Sequence, residues 1–135
     1  MPNYCDFNMK IKGKKQDCQK WLDKMRDRDG RDCYDEENHF WRMWDVSVYD
    51  EEGTDDDYMM LISGVCAWSL ETCCRASGYS EGVDLFEVNS KDLNIVMEAH
   101  SEELGLGFRE HFIYDKGECL ADECYEVYAK DAFSI

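Results

Sequence analysis

Residues 4–12 alternate without a break. Cys5, Phe7, Met9 and Ile11 are apolar, and Asp6, Asn8, Lys10 and Lys12 are polar. Strand side chains point to opposite faces with a period of two, so this run predicts a half-buried strand. Gly13 ends it. Cys18, Trp21, Leu22 and Met25 follow at helical spacing and predict an amphipathic surface helix over 15–28, with Gly30 as its stop. Residues 39–49 are rich in aromatic and β-branched residues and read as a second strand. The acidic stretch Asp50 to Asp57 then leads to a third strand, Tyr58 to Val65, so that the two strands form a hairpin with a charged tip.

Residues 66–77 predict a short helix with Ser69 as N-cap, Glu71 in its first turn and Gly78 just beyond its end. Residues 79–92 show no clean period. Residues 93–100 alternate again, with Leu93, Ile95, Met97 and Ala99 on one face and Glu98 and His100 on the other. Gly105 and Gly107 mark a turn before a strand over 108–114, and residues 118–128 add a last strand or hairpin partner. The order is β-α-β-β-α with two or three further strands, and no linker or repeat divides residues 1–135. An α+β fold follows, ferredoxin-like, with two helices packed on one face of an antiparallel sheet.

The chain has 135 residues and a formal net charge of −16. Residues 1–31 carry nine basic and five acidic side chains (+4), and residues 32–135 carry six basic and 26 acidic ones (−20). Such a field repels nucleic acid and anionic membranes and attracts basic surfaces; it also serves solubility. The first twenty residues contain no apolar signal-type stretch, and no segment approaches membrane-spanning length. The protein is therefore expected to be cytoplasmic, with its eight cysteines reduced.

The opening Met1-Pro2-Asn3-Tyr4-Cys5, the step Ala67-Trp68-Ser69, and Gly107-Phe108-Arg109-Glu110-His111-Phe112 followed by Gly117-Glu118 are three short anchors spread along the chain. Together they resemble the YubB-type ferredoxin-like family of small plasmid and phage proteins. Tyr4 stands where that family usually has Trp. The resemblance implies the ferredoxin-like fold and a mobile-element origin, a setting in which acidic proteins inhibit host defence nucleases, as anti-CRISPR proteins do. It implies no reaction.

The densest local feature is the run Asp50, Glu51, Glu52, Asp55, Asp56 and Asp57, six carboxylates in eight positions. Folding does not require that density. It reads as a DNA-mimicking surface that docks on a basic groove, or as a solvated turn that discourages edge pairing. Aromatic anchors near Phe40, Trp41 and Trp44 would add affinity. Cys5, Cys18 and Cys73 fall on apolar faces and read as small buried hydrophobes. Cys33, His39, Cys119 and Cys124 could assemble a Cys₃His zinc site if their loops meet. His100 and His111, near Glu98, sit on neighbouring strands and could do acid–base work. Nucleophile elbow, Walker loop and H-E-x-x-H signatures are all absent.

The leading expectation is thus a non-enzymatic, phage-type inhibitor. It would bind a basic nucleic-acid-processing host enzyme, a Cas nuclease being the example, without itself binding nucleic acid or membrane. The alternatives are a structural or regulatory zinc-binding domain and a small enzyme using His100 or His111.

Overall fold

A computed structural model describes residues 4–26, 38–40, 42–75, 82–103, 105 and 107–126. The elements, in chain order, are β1 (Tyr4–Gly13), α1 (Lys15–Met25), β2 (Met43–Gly53), β3 (Tyr58–Ala67), α2 (Leu70–Cys74), α3 (Leu85–Asp92), β4 (Val96–Glu103), β5 (Phe108–Asp115) and β6 (Glu118–Glu126). The strands form one antiparallel sheet in the order β2-β3-β1-β4-β5-β6.

The alternation of residues 4–12 sets the two faces of this sheet. Cys5, Phe7, Met9 and Ile11 are buried, together with Met60, Ile62, Met97, Ala99, Phe112 and Tyr114 from neighbouring strands. The helices cover that face. Trp21 of α1 donates its indole N–H to the Met9 sulfur at 3.2 Å. Phe86 of α3 packs between Trp21, Phe40, Phe112 and Tyr114, with ring centroids 5.6–6.5 Å apart. Aromatic side chains of this size dominate the apolar area withdrawn from water. The opposite face carries Asp6, Asn8, Lys10 and Lys12 and is open among the described residues.

The ferredoxin-like expectation is corrected here. That arrangement has four strands and two helices, whereas this sheet has six strands and the chain adds a third helix. The surplus lies at one edge, where β5 and β6 continue as an antiparallel meander beyond β4. Phe112 and Tyr114 make that extension part of the core, because they bury against α3.

Helix α3 fills the stretch without a clear period. Asp84 caps it, accepting from the backbone N–H groups of Phe86 and Glu87, both at 3.1 Å. Its buried face mixes Leu85 and Phe86 with Asn89 and Ser90, which blurs the apolar stripe. The two polar residues are buried because they hold loops: Asn89 donates to the Asn38 carbonyl at 2.8 Å, and the Ser90 hydroxyl accepts from the Gly117 N–H at 2.9 Å.

Helix α2 is shorter than its expected span. The Ser69 hydroxyl caps it by accepting from the Thr72 N–H at 3.0 Å. Gly78, expected beyond its end, lies outside the described residues. Its first two N–H groups, on Leu70 and Glu71, donate to the carboxylate of Glu110 at 2.8 and 3.0 Å. Glu110 is only 3% exposed and also accepts from the Ser101 hydroxyl at 2.6 Å. A buried carboxylate is tolerated because three donors replace its lost water. No helix among the described residues is long and apolar enough to cross a membrane.

Candidate functional site

The acidic run is divided between strand and turn. Asp50, Glu51 and Glu52 belong to β2 and pair with Leu61, Met60 and Met59, so the strand runs further than the expected 39–49. Ladder bonds to β3 offset the poor strand propensity of these residues. The turn is Thr54–Asp57, closed by the Thr54 N–H donating to the Asp57 carbonyl at 2.9 Å. Glu51 is on the helix-covered face and accepts a hydrogen bond from the Tyr58 hydroxyl, whose pKa is pushed up to about 12 mainly by that bond.

Asp50, Glu52, Asp55, Asp56 and Asp57 are exposed, and no ion pair within 4 Å engages them among the described residues. β2 is the edge strand, so this acidic rim faces outward. It has a basic neighbour. Asp55 and Asp56 line a surface concavity together with Lys14, Lys15, Gln16 and Gln19, and the Lys15 N–H donates to the Asp55 carbonyl at 2.9 Å.

The aromatic anchors separate. Phe40 is buried against Trp21 and Phe86, so it belongs to the core. Trp41 lies outside the described residues. Trp44 is exposed, with the Arg42 guanidinium 5.3 Å over its ring and Tyr4 edge-on at 5.4 Å. Trp44 and Tyr49 thus put aromatic surface on the same strand as Asp50 and Glu52.

The cysteines mostly belong to the core. Cys5, Cys18, Cys66, Cys73 and Cys74 are fully buried and free. Burial pushes the Cys18 thiol up to about 11 and raises Cys74 well above its ordinary value, which keeps both as inert thiols. Of the zinc quartet, Cys119 and Cys124 are not brought together. Cys33 lies outside the described residues. Cys119 and Cys124 pair with Tyr114 and Glu110 on β5. Those partners are four positions apart, roughly 13 Å along the strand. Two thiolates on one zinc ion lie at most about 4.6 Å apart. His39 is buried in a segment bonded to Lys24 on α1 and to Asn89 on α3.

The open face of the sheet gathers the other two histidines. Asn8, His100, His111 and Glu123 form one cross-strand row over β1, β4, β5 and β6. The imidazoles of His100 and His111 stack with centroids 4.3 Å apart and planes at 10°. Glu98, two residues from His100 on the same face, reaches both rings. His111 Nε2 is 2.7 Å from Glu98 Oε2, and His111 Nδ1 is 3.3 Å from Glu123 Oε1. The Glu98 hydrogen bond, and secondarily Glu123, raise the His111 pKa above 6.5, while the same bond holds Glu98 below 4.5.

Beside the pair, Asp6, Asn8, Glu102, Arg109 and Tyr125 line an open concavity of about 440 Å³. Arg109 is paired with Glu102 at 2.7 Å. Alternation within 93–100 already puts Glu98 and His100 on one outward face. The convergence of His111 and Glu123 depends on the β4–β5–β6 register. No family model, curated protein or solved structure matches this chain.

Proposed function

We propose that this chain is an acidic binding domain that occupies the basic, nucleic-acid-binding groove of another protein and thereby inhibits it. The contact element in this reading is the β2–β3 hairpin. The observation that carries it is the outward acidic rim of Asp50, Glu52, Asp55, Asp56 and Asp57 on an edge strand that also presents Trp44 and Tyr49. Carboxylates spaced along a strand and turn can meet lysines and arginines that otherwise bind phosphates, while exposed aromatics add contacts that salt does not screen. The −20 balance of residues 32–135 extends the attractive field beyond the contact. The likeness to small plasmid and phage proteins directs the reading to a host defence enzyme, with a Cas nuclease as the first target.

The test is a DNA-cleavage assay with a purified Cas nuclease, run at low salt and at roughly 0.5 M salt. Inhibition is expected at low salt and should weaken at least about tenfold at high salt. The triple variant Asp55→Lys, Asp56→Lys, Asp57→Lys should abolish it. Salt-independent inhibition, or full inhibition by the triple variant, would remove the hairpin from the interface.

A further inference from the structure

His100 Nε2 and His111 Nε2 converge on a single atom, Glu98 Oε2, at 3.6 and 2.7 Å. The three ligand atoms all lie within 4.8 Å of one another. A tetrahedral zinc ion, with ligand bonds of about 2.0–2.2 Å, holds neighbouring ligand atoms roughly 3.3 Å apart. The two separations to Glu98 fall on either side of that value. The stacked rings must splay slightly to aim both lone pairs at one point, and the His100 side chain, 60% exposed, has room to turn.

Glu123 supplies the supporting contact. It sits 3.3 Å from His111 Nδ1, on the far side of the ring from Glu98. Once a cation replaces the proton between Nε2 and Glu98, a carboxylate in that position holds the remaining ring proton on Nδ1. The backbone is already rigid, because His100 and His111 are directly paired residues on adjacent central strands. Two imidazoles and one carboxylate suit zinc-class ions and leave a fourth position open. Both imidazoles also line the 440 Å³ concavity, where water or a small anion beside Arg109 can complete the coordination.

We propose that Glu98, His100 and His111 bind one zinc-class divalent cation on the open sheet face, with Glu123 as the positioning residue behind His111. The site is separate from the acidic hairpin and uses no cysteine.

The test titrates cobalt(II), a spectroscopic stand-in for zinc, into the full chain after chelator treatment under reducing conditions. One equivalent should bind with visible d–d absorption and without the intense near-ultraviolet band of cobalt–thiolate bonding. His111→Ala and Glu98→Gln should each weaken binding at least about tenfold, and Glu123→Gln should weaken it by about tenfold. Cys119→Ser with Cys124→Ser should leave it unchanged. In the unaltered protein, one equivalent of zinc should shift the NMR ring signals of His100 and His111 together, which needs no variant to fold. A thiolate band, unchanged affinity in His111→Ala, or no ring shift at one equivalent would each overturn the proposal.

Discussion

At the scale of single residues, the open face and the covered face use carboxylates in opposite ways. Glu110 is buried and held by three donors, so its role is to tie α2 to β4 and β5. Glu98 and Glu123 are half exposed and bracket one imidazole. The His111–Glu98 pair also makes stability depend on pH. His111 is raised above 6.5, so its contribution is complete below 6.5 and is lost as pH rises through the folded value. Glu98 is lowered below 4.5, so its contribution is present above 4.5 and is lost as pH falls through the folded value. In metal-free protein, the stability difference between wild type and His111→Gln should therefore be largest between pH 4.5 and 6.5. Denaturant midpoints across pH measure this, and a ring titration of His111 at or below 6.5 would contradict it.

At the scale of elements, the β2–β3 hairpin rests on glycine geometry. Gly53 has φ +110°, and a Cβ there would lie 2.1 Å from the backbone carbonyl oxygen of Asp57. The obstructing atom is backbone, so the turn itself must move. Gly53→Ala is expected to cost about 2 kcal/mol. Urea unfolding reads this directly, and a loss below about 0.5 kcal/mol would mean that the turn relaxes freely. Gly64 serves a different need: it faces Phe7 across the β1–β3 pair, and a Cβ would meet that ring at 2.6 Å. Its missing side chain makes room for a core aromatic ring.

Arg75 links elements at the other end of the core. It bonds Glu71 on α2 at 2.7 Å, the Tyr114 hydroxyl on β5 at 2.6 Å and Asp122 on β6 at 2.9 Å. Tyr114 in turn donates to Asp84, the cap of α3, at 2.6 Å. One partly buried cation thus joins two helices and the added strands, which is how β5 and β6 become integral to the molecule.

At the scale of the whole molecule, charge repulsion opposes compaction. With −16 net, salt should raise the melting temperature by screening that repulsion, by roughly 3 °C or more between low and 0.5 M ionic strength. The Asp55, Asp56, Asp57 to Lys triple variant should show a smaller salt effect. Melting curves across salt decide the point: a fall with salt would mean that ion pairs such as those of Arg75 outweigh the net repulsion.

Alternation, which needs only neighbouring residues, determined the faces of β1 and β4. Helical spacing determined the buried stripe of α1, and Ser69 marked the start of α2. The outward placement of Glu98 and His100 followed from the same local rule. Strand order is different in kind, because it depends on which distant surfaces bury each other. Phe112 and Tyr114 packing on α3 made β5 part of the core, and no local period encodes that partnership. The same long-range packing buried Phe40 and sent Glu110 inward to cap a helix 40 residues away in sequence. It also set the register that brings His111 and Glu123 to Glu98 and His100. Local chemistry thus selected the polar residues, and tertiary packing decided which of them meet.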